Sequence, residues 1–478
     1  MKVRSPFFAA CCSAATALCL LIAGCSSPEA KARESFNEYQ AAYASGDLMG
    51  ARRALLATVA AQDDDPAYWE ELGKLQVQLQ SFGDAYYAFT RAHELDRSNA
   101  QVLANMTQLS LVSGNVDQAE DHAKKLQLID ADSPVVKLAF GYAALKRQSL
   151  DEADKQADAL LVTLPYEPGA KLLKARIMVA RGENDEAADL LEKQLKVRPD
   201  DAGSLKALMA LHERYEDWPG VASAASRVAR LDPKDTESAL AAVDASLRSK
   251  NYDAAMQAAQ PFLKPDAPGD QVDSVLWLWA EHWKGPQAVD AARRLSRNAG
   301  QQQLLAYAGY FNEVGSPQDA LEIVGGGART PVTLANTSTN AIAADALAQT
   351  GRTGEAKELL DAVLKLEPDH VYALRARINL EIRTNRAMAA VSDAQRLVSV
   401  LPKSPRDRLL LARAYAAAGD RRQLDRTLWD AFHTIPANRD LYEALRAHVA
   451  KFGGADAVSN VDAEYRQQQD TELVKEFI

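Results

Sequence analysis

The chain is 478 residues long, 47% hydrophobic and 25% charged, with a formal charge of −10. That acidic balance argues against duplex nucleic acid as a partner, because binding a phosphate backbone wants a basic surface. All four cysteines, Cys11, Cys12, Cys19 and Cys25, fall within the first 25 residues, so the body of the protein can hold neither a disulfide framework nor a thiolate zinc site.

Lys2 and Arg4 give the chain a positive start, succeeded by an apolar, small-residue-rich run from Pro6 to Ala23. The run is too short for a spanning helix and reads as a signal segment over residues 1–24. It ends in Ile22-Ala23-Gly24-Cys25, which resembles a bacterial lipobox. The resemblance implies cleavage before Cys25 and acylation of its thiol, with palmitate among the chains that would hold the protein on a membrane. Ser26 in place of an aspartate implies sorting to the periplasmic face of the outer membrane. Residues 25–31 form a polar tether that would span about 20 Å fully extended and keep the first helical unit close to lipid.

From residue 32 the sequence beats at one period. Between Pro66 and Asn99, Trp69, Leu72 and Gly73 are followed by Ala85, Phe89 and Ala92. Ala51, Ala85, Ala119, Ala153 and Ala187 are 34 residues apart, Val221 takes the next slot and Ala255 resumes. Pro165, Pro199 and Pro233 keep the same spacing, as do Pro368, Pro402 and Pro436. The first unit carries Phe36, Tyr39, Tyr43 and the turn Gly46-Asp47, and later turns fall at Gly114-Asn115, Arg147-Gln148, Gly182-Glu183, Glu216-Asp217 and Lys250-Asn251. The order W-x2-L-G…A-x3-F at this spacing resembles the tetratricopeptide repeat, with Gln76 where that motif has a tyrosine. The implied fold is all-α, a superhelical solenoid of helical hairpins in which the small residue lets the second helix cross its partner closely.

Regular units are predicted over 32–268. Between 256 and 336 the lattice loosens, with the irregular units over 269–336: Ala288 and Ala320 serve as small slots, Pro261, Pro265 and Pro268 break the preceding helix end, and Gly325-Gly326-Gly327 with Pro331 interrupts the later one. Two odd units forming a bend or joint are expected there. Regular units resume over 337–438 with Ala356 and Ala390, and residues 439–478 read as capping helices, the last of them polar around Arg466, Gln467, Gln468 and Gln469. The expected total is about thirteen units.

No catalytic constellation stands out, and neither metal nor cofactor is called for. The seven histidines are scattered with no H-E-x-x-H pattern, and the glycine run lacks the lysine and hydroxyl residue of a phosphate loop. In the resembling family, ligands lie in a groove lined by the first helix of each unit. Lys74, Tyr142, Arg176, Lys206, Arg375, Asn379 and Arg413 occupy such slots here, with Glu70, Asp244 and Asp345 in equivalent ones. Arg375 and Asn379, one turn apart, resemble half of a clamp for a peptide carboxylate. Trp277, Trp279 and Trp283 crowd one helix of an irregular unit, either filling space or forming a docking patch. The expectation is a non-enzymatic, lipid-anchored scaffold that binds other envelope proteins in export or assembly of exopolysaccharide or pili. The alternative is a groove that takes an anionic polymer or acidic segment directly.

Overall fold

A computed structural model of the chain describes residues 27–325 and 331–477, with side chains through 473. The signal segment, Cys25, Gly326 and Gly327 lie outside the described residues. Among those described there is no strand, and 26 α-helices succeed one another as thirteen pairs. They are α1 (Pro28–Ala44) with α2 (Leu48–Ala61), α3 (Pro66–Gln78) with α4 (Phe82–Leu95), α5 (Ala100–Val112) with α6 (Val116–Gln127), and α7 (Pro134–Lys146) with α8 (Leu150–Thr163). Then come α9 (Pro168–Ala180) with α10 (Asn184–Val197), α11 (Ala202–Arg214) with α12 (Trp218–Leu231), and α13 (Thr236–Arg248) with α14 (Tyr252–Ala259). The irregular stretch holds α15 (Gly269–His282), α16 (Pro286–Ser296), α17 (Gln301–Glu313) and α18 (Pro317–Ile323). The remainder is α19 (Thr337–Gln349) with α20 (Thr353–Leu366), α21 (Val371–Arg383) with α22 (Ala387–Val400), α23 (Pro405–Ala417) with α24 (Arg421–Thr434), and α25 (Arg439–Phe452) with α26 (Ala455–Phe477).

The period is built into the turns. Gly46, Gln80, Gly114, Gln148, Gly182, Glu216 and Lys250 all have positive φ, one period apart, and each ends the first helix of its pair. One residue further on, a backbone amide reaches back over the last turn: Asp47 N to Ala42 O at 2.9 Å, Asn115 N to Ser110 O at 2.8 Å, Asn251 N to Ser246 O at 2.8 Å. That is the Schellman closure, which satisfies carbonyls a helix end would otherwise leave bare. The next helix is then started by a side-chain cap, as when Asp47 accepts from Gly50 N at 2.8 Å. Proline opens several first helices, at Pro66, Pro134 and Pro405, where its missing N–H costs nothing.

The small slots do what the spacing implies. Ala51, Ala85, Ala119, Ala153, Ala187, Ala255, Ala288, Ala320, Ala356 and Ala390 are all fully buried, and Val221 is 4% exposed. Gly73 lies so close to the Phe89 ring that a Cβ built there would stand 2.6 Å from Cε1. The two helices of that pair therefore meet ring against backbone.

The chain divides into two compact units, residues 1–177 and 178–478. In the first, apolar clusters run from Tyr39 to Leu109 and from Leu103 to Ala139. In the second, one cluster runs unbroken from Val243 to Tyr415, straight through the irregular stretch expected to be a joint. Large rings explain the continuity: Trp279, Tyr307 and Phe311 are essentially buried, and α15 packs mainly on α17 instead of on its successor α16. The small slots Ala288 and Ala320 are kept there, and large aromatic side chains fill the space around them.

Candidate functional site: the inner charged seam

The residues assigned to groove slots are largely committed within the fold. Lys74 sits 2.8 Å from Glu70 and 2.9 Å from Glu71, and Lys206 sits 2.6 Å from Asp235 at the start of the following pair. Arg375 makes two 2.7 Å bonds to Asp407, whose side chain is fully buried, so the guanidinium that resembled half of a carboxylate clamp already holds a carboxylate of the next unit. Arg176 lies over the Tyr142 ring at 5.2 Å. Asn379 is half-buried on α21, and Arg413 on α23 is exposed, without an ion pair among the described residues.

The tryptophan cluster separates. Trp279 is fully buried and Trp283 nearly so; their rings meet edge to face at 4.9 Å, and Trp283 stacks on Tyr252 at 5.1 Å. Of the three, Trp277 alone, 38% exposed, has surface to offer a partner.

Three of the histidines serve as local polar partners. His122 Nε2 pairs with the Tyr86 hydroxyl at 2.8 Å, His370 caps α21 through Ala373 N, and His433 pairs with Glu464. Among the described residues no group of three or more His, Cys, Asp or Glu side chains could hold a metal ion.

Within the second unit, a set of contacts has no counterpart in the repeat lattice. Arg214, the last residue of α11, donates through Nε to Asp470 at 2.7 Å and through Nη1 to Gln469 at 3.3 Å, both on α26. Arg439 at the start of α25 pairs with Glu216 in the turn after α11. Asp440, also at the start of α25, lies beside Glu281 on α15. The last pair of helices thus returns to α11 near the start of its own unit, and a cavity of about 100 Å³ lies between them, lined by Ala210, Glu213, Arg214, Ala437, Gln469, Glu472 and Leu473.

The seam is electrostatically loaded. Burial and the neighbouring Asp440 push the Glu281 carboxyl up to about 7. Burial, with Asp244 nearby, also raises Glu213. Burial alone would raise Asp244 too, but His282, whose Nε2 lies 3.2 Å away, and the Arg248 guanidinium outweigh it and hold that carboxyl low. Arg248 reaches Asp244 at 2.7 Å and lies over the Trp218 ring at 4.9 Å. Further along the same unit, Asn312 donates to Ile342 O at 2.9 Å and to the Tyr372 hydroxyl at 3.1 Å, and Tyr372 donates to Asp345, whose carboxyl burial raises. Sequence reading missed this seam because its members sit up to 256 residues apart.

Stacked helical hairpins of this kind define a helical-repeat interaction scaffold. The family description for the tetratricopeptide repeat matches residues 36–100 and 343–407, and that of the N-terminal tetratricopeptide region of Psidin matches 137–270. The chain belongs to the tetratricopeptide-repeat family. It is similar to the cellulose synthase 2 operon protein C of Komagataeibacter xylinus, 26% identical over 75% of this chain and 27% of that protein. It is also similar to the cellulose synthase operon protein C of Xanthomonas axonopodis pv. citri (strain 306), 25% identical over 41% of this chain and 13% of that one. The chain thus spans only 27% and 13% of the length of these two relatives. Among solved structures, the type IV pilus biogenesis factor PilW aligns with 41% of this chain and 91% of its own at 16% identity and a TM-score of 0.33.

Proposed function

We propose that this tetratricopeptide scaffold is anchored by lipid on Cys25 to the periplasmic face of the outer membrane and organises proteins of a machine that exports a surface polysaccharide. It acts by binding and has no catalytic role. The observation that carries the choice of polysaccharide over pilus is the similarity, over three quarters of the chain, to a protein named for a cellulose synthase operon. The groove chemistry favours protein partners over direct capture of an anionic polymer, since Lys74, Lys206 and Arg375 are each neutralised by a carboxylate of the same array.

Cross-linking in intact cells, then purification from membranes, tests both halves. The expected result is capture of polysaccharide-export proteins by the wild type and a shift of Cys25→Ser into the soluble fraction. Membrane retention of the serine variant sinks the anchor. Capture of pilus proteins alone sinks the pathway.

A further inference from the structure

We propose that the outer face of α2 rests on the phospholipid surface beside the acylated Cys25, so that the first pair of helices meets the bilayer with one defined side. The proposal rests on the lipid anchor put forward above and names the part of the chain that touches the membrane. Met49, Arg53, Leu56 and Ala60 follow one another at steps of four, three and four, which lines them along one side of the helix. Met49 is 57% exposed and Leu56 43%, and Arg53 and Ala60 are exposed with them. The other side of α2, carrying Ala51, Ala54, Leu55, Thr58 and Val59, is buried.

Other pairs treat the same slots differently. Where α2 has Met49, α6, α8 and α10 have Asp117, Asp151 and Asp185; where it has Leu56, they have Lys124, Asp158 and Glu192. Those helices turn charge to water at positions where α2 turns aliphatic side chains. No acidic residue lies within α2. Of its two arginines, Arg52 is tied to Asp84 at 3.1 Å, whereas Arg53 makes no ion pair among the described residues.

The position of the anchor says what covers this face. Cys25 stands three residues before Pro28, and three residues of chain reach at most about 10 Å. The turn at residues 45–47 folds α2 back along α1, which puts Pro28 beside the Ala61 end of α2. The 14 residues of α2 span about 20 Å, so a helix laid parallel to the bilayer brings its whole face to the headgroup layer that the acyl chains have entered. Met49 and Leu56 then sit at the boundary between headgroups and acyl chains, and Arg53 donates to a lipid phosphate. Asp63, Asp64 and Asp65 follow α2, so net charge does not drive the contact; apolar burial and the phosphate bond do, and zwitterionic phospholipid supplies both. The contact adds to the hold of the acyl chains and sets the direction in which the rest of the first unit leaves the bilayer.

Because no cysteine occurs from Ser26 to Ile478, one introduced thiol can carry a fluorophore in the acylated full chain. Leu56→Cys, Glu38→Cys on α1 and Lys124→Cys on α6 are each labelled with nitrobenzoxadiazole. They are then reconstituted into phosphatidylcholine and phosphatidylethanolamine vesicles, with and without phospholipid bearing a nitroxide on its acyl chain. The label at 56 is expected to lose at least about half its emission to the nitroxide, and those at 38 and 124 less than about a tenth. Met49→Cys repeats the test on the same face if circular dichroism shows Leu56→Cys misfolded. An unquenched label on this face, or equal quenching at 38 or 124, with Cys25 shown acylated by mass spectrometry, overturns the contact and leaves the anchor standing. An unacylated Cys25 overturns both.

Discussion

The turn residues show how far a single position can be pushed by the lattice. Gln148 stands at φ 60°, where Gly46, Gly114 and Gly182 stand in other units. A side chain in that left-handed region costs about 1–2 kcal/mol, which glycine avoids at the expense of a freer unfolded chain. Gln148→Gly is therefore expected to raise stability by about 0.5–1 kcal/mol, read as a higher urea midpoint; a fall would show the turn relies on contacts of the Gln148 side chain. Glycine made three of these turns legible in the sequence, and Gln148 was placed by period alone. His122 is a second residue-scale case. Burial first, then Lys125 and His93, push its imidazole down to about 4. The native state thus refuses a proton that the unfolded chain accepts below about 6.5, so stability present above that pH is lost as pH falls toward 4. Allowing for screening, the loss is about 1–2 kcal/mol. His122→Gln should flatten the slope of the first unit's stability between pH 6.5 and about 4, and a slope unchanged by the substitution would assign it to carboxylates.

Between elements, packing decides which sequence signals survive. The alanine slots were readable because a small side chain at a helix crossing is demanded by geometry whatever the neighbours are. The tryptophans were not: Trp279 and Trp283 share a helix face, but whether that face is buried depends on Tyr252 and Tyr310 arriving from other helices. The partner of Arg375 was hidden for the same reason, because Asp407 lies 32 residues on and reaches it only through stacking. Both kinds of contact can be tested by substitution. Gly73→Val drives a side chain into the Phe89 ring and should cost about 1–3 kcal/mol by overpacking, with a correspondingly lower melting temperature. Arg375→Ala leaves the buried Asp407 carboxylate unpaired and should cost about 3–5 kcal/mol. Adding Asp407→Ala to Arg375→Ala should recover part of that loss; no recovery would mean that the arginine acts by packing alone.

For the molecule as a whole, a solenoid adds its stability unit by unit through nearest-neighbour interfaces, so damage is expected to stay local. The same additivity hid the return of α26 to α11 from sequence reading, because that contact depends on small rotations accumulated over all the intervening pairs and not on any one of them. The tryptophan distribution allows locality to be measured. Trp69 is in the first unit, whereas Trp218, Trp277, Trp279, Trp283 and Trp429 all lie in the second. In a Trp69→Phe background, fluorescence reports on the second unit alone. Leu55 is fully buried in the first unit's core and Leu360 in the second's, and truncating either to alanine should cost about 2–5 kcal/mol. Leu360→Ala is expected to lower the urea midpoint of the fluorescence transition, while Leu55→Ala leaves it in place and lowers only the amide protection of α2 and α4. Equal shifts of the fluorescence midpoint by both substitutions would show that the chain unfolds as one cooperative body, and the additive account would then fail.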